Sequence, residues 1–282
     1  MRRAARTIAT LLTGALACLS ASAPAQDAPT IEMWRLDCGT LEISDVESFS
    51  DTHLYDGQPK TLTDSCYLIR HGERHLLWDA GLIAAVAGAP MTQGVYTISI
   101  GSTLVEQLAE LGLAPGDIDM VGISHRHFDH IGQAASFPQA ELLIGSADAQ
   151  TIAGGADADA ASALAPWFGE GATGKLTPVT KDKDIFGDGS VTMLAMPGHT
   201  DGHSALLVRL PQTGPVMLTG DLYHFTEQVE NRGVPQFNSN RADTLASMDR
   251  FDRMAANLGA TIVIQHEASH IARLPAFPES AK

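Results

Sequence analysis

Ile123-Ser124-His125-Arg126-His127-Phe128-Asp129-His130-Ile131-Gly132 is the stretch on which the reading of this chain turns. Three imidazoles and one carboxylate fall within six residues, directly after the apolar run Ile118-Asp119-Met120-Val121-Gly122-Ile123. A run so short and apolar predicts a buried strand, with the polar cluster on the loop that leaves it. Three imidazoles packed without a partner repel one another when protonated, and burying them unpaired costs free energy. A divalent cation removes both penalties, because neutral imidazole and ionised carboxylate are natural ligands of zinc. Taken alone, the cluster also fits a solvated polar loop.

The rest of the chain repeats the pattern. The run over 191–196 leads into Pro197-Gly198-His199-Thr200-Asp201-Gly202-His203, the run over 216–219 into Gly220-Asp221, and the β-branched run over 261–265 into His266. Four apolar runs therefore each end in His or Asp, which predicts strands that deliver ligands to one place. Between them, residues 65–70 and 75–79 flank His71-Gly72-Glu73-Arg74 and predict a hairpin. Residues 141–144 and 204–210 read as further strands, the latter joined to 216–219 by a turn over 211–215. Helical spacing over 103–111 is stopped by Gly112, and a second helix over 241–257 is stopped by Gly259. The Ala/Gly/Asp-rich stretch over 154–165 reads as a surface helix with its loop.

The first 25 residues read as an export signal. Arg2, Arg3 and Arg6 open it, an apolar stretch over 8–19 follows, and Ala23-Pro24-Ala25 forms a small-residue cleavage site. That stretch is too short for a stable membrane anchor, and Ala15-Leu16-Ala17 is a poor lipidation signal for Cys18. The expected destination is a periplasm or the medium. The remaining residues 26–282, roughly 255 in number, suit one large α/β domain. Loss of the leader moves the formal charge from −15 to about −18, with 15 basic and 33 acidic side chains left. Such acidity argues against nucleic acid and anionic membranes, which reward Lys and Arg. Cys38 and Cys66 remain; an oxidising compartment permits a disulfide between them, and two buried thiols are the alternative. No Cys lies near the His cluster, which disfavours a thiolate-rich structural zinc site.

His125-x-His127-x-Asp129-His130, followed by His199, Asp221 and His266, resembles the ligand series of the metallo-β-lactamase superfamily from about Cys66 onward. The resemblance implies an α/β fold of four layers, an αβ/βα sandwich, with the site along one edge between two sheets. It implies two divalent metal ions. His125, His127 and His199 correspond to the ligands of one; Asp129, His130 and His266 to those of the other; Asp221 and a shared water bridge them. Zn2+ is the default, and Fe2+, Co2+ or Mn2+ also suit nitrogen and oxygen ligands. Paired cations lower the pKa of bound water towards neutrality, and an anionic bridge at Asp221 reduces the repulsion between them.

Single residues sort the subgroups that the resemblance brings with it. Redox-active diiron members carry Glu where this chain has His127, and β-lactamases generally carry Cys or Ser where it has Asp221. The 16 residues after His266 are too few for the helical domain of a glyoxalase II, and the acidity disfavours the RNA-processing branch. N-acyl homoserine lactone lactonases and organophosphate-hydrolysing relatives survive. The ensemble Cys66-Tyr67-Leu68-Ile69, residues 124–132, Gly220-Asp221-Leu222-Tyr223 and His266-Glu267 favours the lactonases. The best-known lactonases often place Tyr three residues after the bridging Asp; here that position is His224, with Tyr223 one residue earlier. Either is expected to donate a hydrogen bond to the developing oxyanion, and Asp129 to pass a proton to the leaving alkoxide.

The expectation is thus a dinuclear metal-dependent hydrolase that opens lactone rings, foremost N-acyl homoserine lactones (quorum quenching), by attack of a metal-bridging hydroxide. The alternative within the superfamily is a phosphotriester or general ester hydrolase, with a β-lactamase behind it. Outside enzymes stand a metal-binding protein without turnover and an interaction module with a structural His-rich loop. A small lactone or ester is the expected partner, with a homodimer as the expected assembly. Asp79, Thr200 and His203 read as hydrogen-bonding support. Trp167 and Phe168 suit an acyl-chain pocket or the core equally, the loop over 225–240 suits a substrate rim, and His53, His71, His75 and His270 suit surface or loop roles.

Overall fold

The computed structural model describes residues 29–282, so the leader expected over 1–25 lies outside the described residues. Eight strands make the first sheet: β1 (Ile31–Ile43), β2 (Lys60–His71), β3 (Arg74–Trp78), β4 (Met91–Gln93), β5 (Tyr96–Ser99), β6 (Met120–Ile123), β7 (Glu141–Gly145) and β8 (Leu176–Val179), in the order β4-β5-β1-β2-β3-β6-β7-β8. Five make the second: β9 (Lys183–Asp184), β10 (Val191–Ala195), β11 (Ser204–Leu210), β12 (Gly214–Leu218) and β13 (Thr261–Val263), in the order β13-β12-β11-β10-β9.

The two-residue period of each strand builds the layers. In β11, Leu206, Val208 and Leu210 enter the core between the sheets, while Ala205 and Leu207 face the helix Arg241–Leu258 with its Met248, Phe251 and Ala255. In β2 and β3, Tyr67, Ile69, Leu76 and Trp78 enter the same inter-sheet core. Their neighbours Cys66, Leu68 and Leu77 pack outward against Leu104 and Leu108 of the helix Leu104–Glu110 and Ile152 of the helix Ser146–Ala153. Helix, sheet, sheet and helix stack in that order, the expected sandwich. Asn240 caps the long helix by accepting from the N–H groups of Ala242 and Asp243, and Gly259 ends it in the left-handed region at φ 60°.

Direction matters more for the site than layering. β3, β6, β7 and β8 run parallel to one another, as do β12 and β13, while β10 and β12 both oppose β11. The carboxyl ends of β3, β6, β10, β12 and β13 therefore meet at one edge, and Asp79, His125, His199, Asp221 and His266 each follow one of them. The expected strands and both helices are present within a few residues. The stretch over 154–165 holds the short helix Ala158–Ala163. The long β1 escapes the sequence pattern because a bulge between Asp37 and Gly39 interrupts its alternation. A disulfide joins Cys38 of β1 to Cys66 of β2. Among the described residues, no helix is long and apolar enough to cross a membrane.

Candidate metal centre

At that edge two groups of side chains converge. Donor atoms of His125, His127, His199 and Asp221 all lie within 4.8 Å of one another, and so do those of Asp129, His130 and His266. Nε2 of His199 is 3.1 Å from Nε2 of His125 and 2.9 Å from Nδ1 of His127. Asp221 stands between the groups: Oδ2 is 3.5 Å from His125 Nε2 and 3.3 Å from His199 Nε2, while Oδ1 is 3.0 Å from Nε2 of both His130 and His266. The Asp129 carboxylate is 3.9 Å from His130 and from His266.

The donor chemistry fits a pair of cations. Nδ1 of His130 faces the Asp79 carboxylate at 3.0 Å, Nδ1 of His199 faces Asn238 Oδ1 at 2.9 Å, and Nδ1 of His266 faces the Thr63 carbonyl at 3.2 Å. Those oxygens only accept, so each of these Nδ1 atoms carries a hydrogen and each Nε2 turns to the centre. Burial lowers His130 and His266, but the Asp221 carboxylate outweighs it and raises both, His266 to about 9, so a cation held here would take the place of their Nε2 protons. Burial, and then the neighbouring imidazoles, hold His125 and His127 well below the ordinary histidine range. Burial pushes the Asp221 carboxyl up, and His130, His266, His224 and His125 together overcome it, so the group stays well below the usual carboxylate range.

Three buried groups fix the ligand loops. Asp79 accepts from Ser124 N at 2.6 Å and from His130 Nδ1, with its backbone in the strained left-handed region at φ 60°. Asp148 accepts from Arg126 N, Thr200 Oγ1 and Gly202 N at 3.1, 2.8 and 3.1 Å, tying the His125–His127 loop to the His199 loop. A Cβ on Gly145, the last residue of β7, would meet Gly202 O at 1.8 Å, so the clamp needs glycine where β7 touches the His199 loop. His203 donates from Nδ1 to Met196 O and accepts at Nε2 from Asp221 N, at 2.8 and 2.9 Å, and burial pushes its pKa down to about 3.

The seven predicted ligands are brought together, and His224 joins them with Nε2 3.1 Å from Asp221 Oδ2 and Nδ1 against Gln228 Oε1. Tyr223 does not. Its side chain is buried on the other face of the loop, its hydroxyl donates to Asp252 and accepts from Arg232, and burial raises its pKa. Successive side chains in extended backbone point oppositely, which is why one of this pair reaches the centre and the other the helix layer. Trp167 belongs to the outer core and donates to Ala140 O, and Phe168 packs beside it. His71 and His270 are buried away from the centre, and His53 is exposed beside Asp56. Asp148, Asn238, Tyr96 and Gln265 escaped the sequence reading. Asp148 carries only the local signal of an acid in a helix's first turn.

A cavity of about 230 Å³ opens on the cluster. His127, Asp129, Asp221, His224 and His266 form its polar floor; Leu41, Phe49, Leu62, Tyr96, Phe128 and Phe237 form an apolar wall. Phe128 is 46% and Phe237 41% exposed, unusual for large apolar side chains. A larger hollow of about 470 Å³ around Glu42, Lys60 and Thr97 borders none of the clustered ligands.

These features are those of a known class. The sequence profile of the metallo-beta-lactamase superfamily matches residues 61–266, and the chain belongs to that superfamily. An N-acyl homoserine lactonase named AttM from Rhizobium radiobacter is 30% identical over 234 residues, covering 76% of this chain and 85% of the relative. AttM from Rhizobium johnstonii is 29% identical with the same coverage. Among solved structures, an N-acyl homoserine lactone hydrolase with the product N-hexanoyl-L-homoserine bound at its catalytic metal centre gives a TM-score of 0.75 at 21% identity, covering 89% of this chain and 99% of that one. AidC, a dizinc quorum-quenching lactonase, gives 0.62 at 17% identity, covering 90% and 91%.

Proposed function

We propose that this chain is a metal-dependent lactonase that opens the ring of N-acyl homoserine lactones. The observation that carries the reading is the cavity itself, whose polar floor of clustered ligands meets a wall of Leu41, Phe49, Leu62, Phe128 and Phe237. Such a boundary matches a molecule with a polar lactone at one end and an acyl chain at the other. The names of the curated relatives support the same substrate class.

His125, His127 and His199 would hold one divalent ion and Asp129, His130 and His266 the other, with Asp221 within reach of both groups; zinc would suit this nitrogen-rich set. Bound there, paired cations supply a water of lowered pKa and polarise a carbonyl oxygen. The protein's own groups do the rest. The apolar wall seats the acyl chain and fixes the ring over the floor. Hydrolysis joins a water oxygen to the ring carbonyl carbon, breaks the ring C–O bond and leaves an alkoxide that takes up a proton. Asp129, partly open to the cavity, relays that proton. His224, held by Gln228, borders the position where the carbonyl oxygen gains charge.

We also propose export, with residues 1–25 as the leader; the Cys38–Cys66 disulfide supports an oxidising compartment. The function is tested with a panel of N-acyl homoserine lactones, a phosphotriester and a cephalosporin. The lactones are expected to be the best substrates, with activity lost on chelation and restored by zinc. Cleavage of the phosphotriester alone rejects the reading.

A further inference from the structure

Gln265 ends the apolar run before His266, and its side chain is fully buried. Its carboxamide makes four contacts. Oε1 accepts from Gly220 N at 3.0 Å and from the Trp78 indole Nε1 at 3.3 Å. Nε2 donates to Ser65 O at 3.1 Å and to Asp79 Oδ2 at 2.9 Å. The orientation of the amide is settled by these partners, because the first two only donate and the last two only accept. The backbone joins in, with Gln265 O accepting from Ser65 Oγ at 2.8 Å. Every hydrogen-bonding position of the amide is filled.

The partners are what give this residue meaning. Ser65, Trp78 and Asp79 belong to β2 and the end of β3 in the eight-stranded sheet; Gly220 follows β12 and Gln265 follows β13 in the five-stranded sheet. One amide therefore spans the gap between the sheets at the edge where the ligands arrive. Two of its four bonds lie one step from a ligand, since Gly220 precedes Asp221 and Asp79 holds His130, and Gln265 itself precedes His266. A side chain needed only for volume has no reason to be polar here. Trp78, which meets Gln265, belongs to the apolar inter-sheet core, and a buried amide left short of partners is destabilising.

We propose that Gln265 is a positioning residue that sets the separation of the two sheets at the metal centre, and through Asp79 and Gly220 the spacing of His130, His266 and Asp221. It acts on the Asp129–His130–His266 half first, because two of that half's imidazoles hang on its contacts. The His125–His127–His199 half is tied separately by Asp148.

The proposal rests on the two-cation reading of the site, and the test separates the two. Metal-stripped wild type, Gln265→Met and Gln265→Glu are titrated with zinc against a chromophoric chelator. The cobalt-loaded proteins are compared by visible absorption, and melting temperatures are taken with and without metal. Both variants are expected to bind the second ion roughly 10- to 100-fold more weakly, the first ion nearly as wild type does, with altered cobalt bands. Combining Gln265→Met with Asp79→Asn should weaken binding by less than the product of the separate effects. Unchanged affinities, with melting temperatures lowered equally with and without metal, overturn the proposal and leave a packing role. If the methionine variant does not fold, Gln265→Glu decides, since it keeps the length and the bond from Gly220. Wild-type protein that takes up fewer than two ions rejects the two-cation reading together with the proposal. Two ions held equally by wild type and variants reject the positioning role alone.

Discussion

Two histidine–aspartate pairs lie at opposite ends of the sandwich. At the ligand edge, His130 Nδ1 meets Asp79 at 3.0 Å, and both side chains have no exposed surface. At the other end of β2, His71 Nε2 meets Asp188 at 2.7 Å, with 9% and 38% of the side chains exposed. The shorter contact is the less consequential one. His71 stacks on Phe186 with ring centroids 4.2 Å apart, and Asp188 also accepts from Ser190, so water and local turns share the work. Asp79 has no exposed surface, and its oxygens hold Ser124 N, His130 and Gln265 at once. A pair becomes functional through burial and through the further groups it commits, not through its own distance.

The largest effect expected at the buried end comes from Asp221→Asn. The change removes the one anion among the described residues that touches both ligand groups, and the neutral amide cannot repeat its contacts with His130, His266, His125 and His199. Lactone hydrolysis should fall on the order of 10³-fold or more, about 4 kcal/mol of barrier, with both ions loosened. Metal content measured beside kcat/KM checks this; full metal content with ordinary turnover would remove Asp221 from the centre.

Next in size are two substitutions that divide the centre. Asp79→Ala strips His130 of its buried partner, whereas Asp148→Ala frees the loops that carry His125, His127 and His199. Each should weaken zinc binding by roughly 10- to 100-fold, the usual scale for carboxylates behind a ligand. The two halves should respond selectively, Asp79→Ala on the Asp129–His130–His266 half and Asp148→Ala on the other. Calorimetric titration resolves the two binding steps. Equal loss from both steps in both variants would mean that the halves are not independently supported.

How far the sequence reveals this arrangement follows from what kind of contact each residue makes. His125, His127, Asp129 and His130 are legible because they sit together on one loop, and His199, Asp221 and His266 because each closes an apolar run. The sandwich is legible because strand periodicity is local. β1 is obscured by its bulge, a local defect in the same signal. Asp148, Asn238 and Gln265 are invisible for a different reason. The partners that tie them to the centre lie 22 to 54, 39 and 45 to 200 residues away, and nothing in a neighbouring residue records such a bond. Tyr223 and His224 show the limit of motif spacing: adjacent side chains point apart, and only the backbone decides which faces the cavity.

The exposed pair supplies the smallest effect and the pH dependence. Ser190 first, then His71, hold the Asp188 carboxyl down at about 2. A folded value below the unfolded one, near 3.9, means that Asp188 contributes stability above about pH 4 and loses that contribution as pH falls towards 2. Because the side chain is more than a third exposed, solvent screening keeps the contribution below about 1 kcal/mol. Asp188→Asn should therefore cost that little in urea unfolding near pH 7, and the gap from wild type should shrink as pH falls towards 3. Zinc affinity and lactone turnover should be untouched. A gap of several kcal/mol, a gap that does not narrow in acid, or a change in metal binding would show that the surface pair matters to the centre. The contrast with His130–Asp79 would then fail.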